Sequence, residues 1–294
     1  MEFRLLRYFL AVARMQSISG AAQFLNISQP TLSRQIKELE EELGATLFHR
    51  GNRKISLTTE GLLLRKRAEQ IVELVQKTKD DLEVSEEALH GTIYIGGGET
   101  HAFRTLAKSI QSLIGQYPAI RVHLFSGNAE DVTERLDKGL VDFGLLIEAT
   151  DLSNYDYIRL PLADRWGVLM RKDSPLAALD AVQPEVLRSL PLICSRQALE
   201  GGQLSSWFKE DCERLNLVAS YNLLFNASLL VEVGVGYALC LDNIVNPAGE
   251  SNLCFRPLEP GLESHVHLIW KKHQIFSKPA EVFLEQLRRH ATSN

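Results

Sequence analysis

The chain has 294 residues, 45% hydrophobic and 23% charged, a globular composition that excludes a disordered or fibrous protein and leaves room for about two domains. Its net charge of -5 at pH 7 gives no sign of a nucleic-acid partner when taken whole, but whole-chain charge can mask a basic module. The first 58 residues carry Arg4, Arg7, Arg14, Arg34, Lys37, Arg50, Arg53 and Lys54 against Glu2, Glu38, Glu40, Glu41 and Glu42, a net of +3 that leaves −8 on the remainder. A small basic head joined to a larger acidic body is therefore expected.

In chain order, Phe3, Leu6, Phe9, Leu10 and Ala13 recur at helical spacing, which predicts a first amphipathic helix. A second follows near residues 19–25, where Ala21 and Ala22 are small enough for another helix to approach closely. After the short turn Asn26-Ile27-Ser28, Ser28 is placed to cap a third helix and Pro30 fits its first turn. Leu32, Ile36, Leu39 and Leu43 share one face of it, and Gly44 ends it. Two helices joined by a three-residue turn form a helix-turn-helix. The stretch ATLFHRGNRKISLT then reads as a strand, a basic turn and a strand, which makes the module winged.

A long helix is expected over 59–89, with Leu64, Ala68, Ile71, Val75, Thr78, Leu82, Ser85 and Leu89 alternating spacings of four and three, the stripe of a coiled coil. Packing on its own domain is the plainer alternative. Roughly 30 residues at 1.5 Å each would project about 45 Å, more than a small head covers, so pairing between two chains is favoured.

From GTIYIGGGETHAF onward the rhythm becomes strand then helix. Strands are expected at 92–97, 121–126 and 142–147, with helices at 102–115 and 132–138. A second series has strands at 167–171, 192–195 and 221–225 and helices near 204–214 and 228–233. The strand HVHLIW and a helix at 280–290 close the chain. Such alternation predicts an α/β body of parallel sheets flanked by helices, with two units, a cleft between them, and crossovers near 160–162 and 264–266 as hinges.

Cys194, Cys212, Cys240 and Cys254 form no CxxC pair and have no histidine at metal spacing, so neither a disulfide framework nor a metal site is expected. No apolar run approaches the roughly 20 residues that cross a bilayer, and the first residues lack a signal-peptide core. A cytoplasmic protein is the expectation. GxSxG, HExxH, a Walker loop and a complete GxGxxG after a strand are all missing from the sequence, which argues against an enzyme, and no cofactor or catalytic residue is expected. A pure solute-binding module is the other rival, and the basic head argues against it.

LRYFLAVAR, SISGAAQFLNISQPTLSRQIKELEEELGATLF, LTTEG and the later LLVEVGVGYAL resemble the LysR-type transcriptional regulators. The resemblance implies a winged helix-turn-helix DNA-binding domain over 1–58, a linker and dimerisation helix over 59–89, and an effector-binding domain over 90–294. That last domain would have the two-subdomain shape of a periplasmic (type II) binding protein, with one subdomain at about 90–161 and 267–294 and the other at about 162–266. The implied partners are promoter or operator double-stranded DNA, a small-molecule effector, RNA polymerase for an activator, and further copies of the chain as homodimer and homotetramer.

With Ile36 set as the buried centre of the third helix, Arg34 and Thr31 fall on the opposite face, flanked by Pro30 and Lys37. Gln29 at the helix tip suits adenine, and Arg34 suits guanine or a phosphate. Ser28 and Ser33 resemble the family's phosphate-contacting hydroxyls, and Arg50, Arg53 and Lys54 in the wing suit backbone or minor-groove contact. Glu38, Glu41 and Glu42 should point away from phosphate. In the body, an effector is expected at the strand carboxyl ends. Thr100 is the first choice, because the family commonly uses a hydroxyl residue there. His101 beside it is an alternative, and Glu99 is unusual for the position. Ser126, Ile147, Ser195, Arg196 and Asn226 complete the set. Arg196 either pairs with a carboxylate effector or with Glu200 on the surface.

Overall fold

Two capped helix starts fix the geometry of the N-terminal part. In this computed structural model, which describes residues 1–50, 55–82, 89–148, 151–199, 203–208, 215–246 and 251–292, α1 spans Phe3–Met15, α2 Ile18–Phe24 and α3 Gln29–Leu43. Of Arg50 and residues 290–292 only the backbone is described. The Ser17 hydroxyl accepts the Gly20 amide at 3.1 Å, and the Ser28 hydroxyl accepts the Thr31 amide at 3.3 Å. Each satisfies an amide that the helix itself leaves unpaired. Gly44 ends α3 at φ 62, a left-handed conformation that glycine adopts without steric cost.

Contacts divide the chain into two units, Met1–Leu82 and Glu83–Asn294. The first is built on Leu5, Leu6, Phe9 and Val12 of α1, Ala21 and Ala22 of α2, and Leu32, Ile36 and Leu39 of α3, all buried in one cluster. Leu43, expected on the same face, is instead exposed at the last turn. Strands β1 (Phe48–Arg50) and β2 (Ile55–Leu57) pair antiparallel. The turn between them, with Arg53 and Lys54, lies outside the described residues.

Helix α4 runs over Thr59–Leu82. A Cβ at Gly61 would sit 2.2 Å from the Leu47 carbonyl oxygen, so the close approach of α4 to the wing requires glycine there. The expected stripe divides in two. Leu64 and Ala68 pack into the first unit's own core, whereas Ile71 and Leu82 are exposed, with Leu74 beside them. Ser85 lies outside the described residues. Leu89 corrects the expected helix end: it packs on the core of the second unit and does not prolong the stripe.

The second unit is a curled mixed sheet with helices on its faces. Its elements are β3 (Gly91–Gly97), α5 (Phe103–Gln116), β4 (Ile120–Ser126), α6 (Ala129–Asp137), β5 (Phe143–Ile147) and the long β6 (Tyr155–Arg171). There follow α7 (Pro184–Leu187), β7 (Leu192–Ser195), α8 (Arg196–Leu199), α9 (Gln203–Phe208), β8 (Leu217–Tyr221), α10 (Leu224–Glu232), β9 (Tyr237–Leu241), β10 (Leu253–Pro257), β11 (Glu263–Lys271) and α11 (Lys278–Thr292). Among the described residues the strand order is β4-β3-β5-β11-β6-β9-β7-β8, with β10 also on β6.

The parallel expectation holds within each half, where β3 pairs β4 and β5 and β7 pairs β8 and β9. It fails at the centre. There β11 runs antiparallel to β5 and to β6, and β9 and β10 run antiparallel to β6. The expected crossovers fall on an irregularity: β11 pairs β6 at His265↔Ala163 and next at His267↔Arg159. Residues 160–162 on one strand thus face Val266 on the other. Pro161 sits in that gap, and a proline has no N–H to give a ladder.

One strand is corrected outright. The expected strand at 221–225 is β8 at Leu217–Tyr221, and Leu224, Phe225 and Asn226 belong to α10. No side chain of Leu223 or its neighbours in α10 caps that helix. Its first amide, on Leu224, is held at 2.6 Å by the carboxylate of Glu99.

Candidate functional site

The outward face of α3 begins at its capped end. Ser28, Gln29, Pro30, Thr31, Arg34 and Lys37 are exposed and Ser33 half-buried, while Leu32 and Ile36 between them are buried. The helical period sorts one short sequence into an anchoring face and an outward face. Ser28 and Thr31 share a hydroxyl–hydroxyl hydrogen bond of 2.7 Å. Arg34 lies 3.6 Å from Glu38 and Lys37 lies 3.2 Å from Glu41, one turn further from the tip, and Glu42 meets the N-terminal ammonium. The acidic residues thus hold the cations instead of standing apart from them. Sequence reasoning missed Glu40, whose Oε1 accepts the amides of Leu47 at 2.8 Å and Phe48 at 3.3 Å and so fixes the start of the wing to α3. Arg50 is in β1, opposite Ile55.

The second unit holds a cavity of about 310 Å³ at the carboxyl ends of its strands, the place where open α/β sheets take their ligands. Glu99 after β3, Asn128 at the start of α6, Glu148 after β5, Ser195 at the end of β7, Tyr221 at the end of β8 and Trp166 from β6 are among its walls. Glu148 has φ 52, an uncommon conformation for a non-glycine residue. Its carboxylate accepts the His265 amide at 2.6 Å and the Gln203 side-chain amide. Tyr221 donates to the Leu239 carbonyl at 2.7 Å, and burial pushes its phenol well above the usual 10, so it is a neutral donor.

Of the expected effector residues, the structure brings Ile147 and Ser195 into this cavity. Thr100, His101 and Ser126 line a wider, more open depression of about 700 Å³ that shares Gly98 and Glu99 with it. The Thr100 hydroxyl is engaged there: it donates to the Asp164 carboxylate and accepts the Ala102 amide at 3.0 Å. Burial raises the pKa of Asp164 from its ordinary value, against the lowering effect of the hydrogen bonds it accepts from Thr100 and the Ala102 amide. Arg196 and Asn226 are exposed and line neither space. For Asn226 the reason is its place inside α10 instead of before it. Gln203, Trp166 and Tyr221 had no local signal. Glu99 and Glu148 were visible as strand-end residues, without a role.

Among the described residues no group of three or more His, Cys, Asp or Glu could hold a metal ion, and no helix is long and apolar enough to cross a membrane. Among the described residues Cys194, Cys240 and Cys254 form no disulfide, and Cys212 lies outside them.

The comparisons with known proteins agree with this layout. A family model described as the LysR substrate binding domain matches residues 86–292. A second, described as a bacterial regulatory helix-turn-helix protein of the lysR family, matches residues 3–62. The HTH-type transcriptional regulator BsdA of Bacillus subtilis (strain 168) is 27% identical over 304 residues, covering 97% of this chain and 99% of its own. The Hca operon transcriptional activator HcaR of Escherichia coli (strain K12) is 28% identical over 289 residues, covering 95% and 94%. Among solved structures, the LysR family transcriptional regulator CbnR superposes with a TM-score of 0.79 at 20% identity over 99% of both chains. Full-length CbnR complexed with its target DNA superposes at 0.78 and 21%, over 99% of this chain and 100% of that one; at these identities the likeness is one of fold. Since the two family models together account for nearly the whole sequence, the chain belongs to the LysR family of DNA-binding transcriptional regulators, with a helix-turn-helix head and an effector-binding domain.

Proposed function

We propose that the exposed end of α3 reads an operator in the major groove and that a small-molecule effector occupies the cavity at the strand ends of the second unit. The single observation that carries the first part is the exposure of Gln29, Pro30, Thr31, Arg34 and Lys37 over a buried Leu32–Ile36 face. Side chains at the N-terminal end of such a helix reach base edges. Ser28, Ser33 and the wing cations Arg50, Arg53 and Lys54 take the sugar-phosphate backbone. In this division of labour residues 1–58 bind DNA, α4 over 59–82 links and dimerises, and the second unit senses.

The exposed Ile71, Leu74 and Leu82 of α4 support a homodimer through the linker helix, and dimers pair into a homotetramer. The protein works in the cytoplasm without catalysis, and RNA polymerase is its partner if it activates. A carboxylate effector would rest on the helix N-termini and on Arg196, whose residue stands outside the cavity lining.

The test is a titration of the chain's own upstream DNA at several salt concentrations, comparing wild type with Arg34→Ala. Wild type should bind specifically with a steep salt slope, as phosphate neutralisation releases counterions. The variant should lose about 1–3 kcal/mol, or roughly 5- to 150-fold, with no change in thermal midpoint. Equal binding by both would move base reading elsewhere in the head.

A further inference from the structure

On the reading of the cavity as the effector site, we propose that the effector is a small organic ammonium compound, an amine or a diamine, and not a carboxylate.

The charge of the walls is the first ground. Glu99 and Glu148 line the cavity, and no Lys, Arg or His is among its described lining residues. The hydrogen bonds that the two glutamates accept come from neutral amides: Leu224 N–H for Glu99, His265 N–H and the Gln203 amide for Glu148. Both residues are half-buried. An entering carboxylate would meet two like charges in a space where water screens them poorly, and an ammonium group would meet two opposite ones.

A second ground is the state of the helix starts, the parts of such a fold that ordinarily receive an anion. At α5, α6 and α10 the starts beside the cavity already give amides to the chain's own acceptors. The first amide of α10 goes to Glu99 at 2.6 Å. At α5, Ala102 N–H goes to Thr100 and, at 3.2 Å, to Asp164. At α6, Asn128 and Asp131 cap each other reciprocally, and Ala129 N–H goes to Gln197 Oε1 at 3.2 Å. An anion would find these donors occupied and would have to displace a carboxylate to use most of them.

Two acceptors are left over. Gln203 Oε1 is buried without a hydrogen-bond partner among the described residues. The second carboxylate oxygen of Glu99 also has no donor among them, but unlike Gln203 Oε1 it is not fully buried. A buried acceptor without a donor is costly, and an N–H-bearing ligand would supply one. Trp166 and Tyr221 among the walls add aromatic surface of the kind that favours organic cations.

Calorimetric titration of the full-length protein with charge-reversed pairs tests this: benzylamine against benzoate, and butane-1,4-diamine against succinate. At least one amine should bind more tightly than its carboxylate counterpart. The charge-neutral variant Glu99→Gln/Glu148→Gln should weaken that binding about 30-fold or more. Because Glu99 also caps α10, Glu148→Gln alone serves if the double variant does not fold. Ala198→Trp, which fills the cavity, should abolish binding of either probe.

If carboxylates bind better and Ala198→Trp stops them, the cavity is the effector site and the charge assignment is overturned. Amine binding that survives both Ala198→Trp and Glu148→Gln places the ligand elsewhere, and the cavity reading falls with it. No amine bound up to about 10 mM also overturns the proposal.

Discussion

The outward face of α3 and the cavity hold their polar side chains in opposite ways. On α3, Arg34 and Lys37 are 71% and 69% exposed and meet carboxylates a single turn away. Exposed pairs of this kind contribute about 0–1 kcal/mol, so phosphate can replace Glu38 or Glu41 at little cost. In the cavity, Glu99 is fixed by an amide 125 positions along the chain and Glu148 by one 117 positions along. A convex face can be written within one helix and held by exposed pairs alone. A concave site exists only once the whole sheet has assembled.

The contrast implies that damage to one region should leave the other intact. The largest expected effect is Phe9→Ala. Phe9 is fully buried, and emptying such a site costs about 3–5 kcal/mol. DNA binding should be lost, while tryptophan fluorescence, which arises from Trp166, Trp207 and Trp270 in the second unit, should keep its denaturation midpoint. A shifted fluorescence midpoint would break the separation.

Glu40→Ala is a smaller blow to the same head. It strands the amides of Leu47 and Phe48, at about 1–3 kcal/mol for unsatisfied groups. Circular dichroism should report early loss of helix, and DNA affinity should fall, again with unchanged fluorescence.

The smallest effect belongs to the second unit. Burial lowers the pKa of His267 from its ordinary 6.5; the charge of Arg159 and His265 act in the same direction, and Glu148 opposes them. The unfolded chain therefore binds this proton more readily than the folded one. Stability is full above pH 6.5 and declines as pH falls below 6.5 towards and through the lowered folded value. His267→Gln should flatten the fluorescence-monitored midpoint below pH 6.5 relative to wild type and leave the two curves parallel above it. Curves parallel throughout would remove His267 from the account.

Legibility in the sequence follows the same division. Ser28, Pro30, Gly44 and the Leu32–Ile36–Leu39 spacing lie within one helix and its caps, so local rules place them. Ile147 and Ser195 were legible as strand ends, because alternation locates strands. The run Tyr221 to Phe225 misleads since its apolar residues suit a strand as well as a helix. What starts α10 at Leu224 is the carboxylate of Glu99, and no window around residue 224 contains it. The antiparallel centre was hidden for a like reason: a strand's direction depends on where the chain returns from, and β11 returns to pair with both β5 and β6. Arg196 was expected on the strength of its charge, which says nothing about the side of the strand end on which it emerges.

The gap at Pro161 gives the second unit a mechanical character of its own. Strand β6 is 17 residues long and serves both halves of the sheet, pairing with β11 on both sides of the gap and with β9 and β10 beyond it. A beam notched once bends at its notch, and the bend needs no ladder to be broken elsewhere. Substitutions at those three positions should change the compliance of the sheet before they change the lining of the cavity. Those positions lie outside both the cavity lining and the outward face of α3.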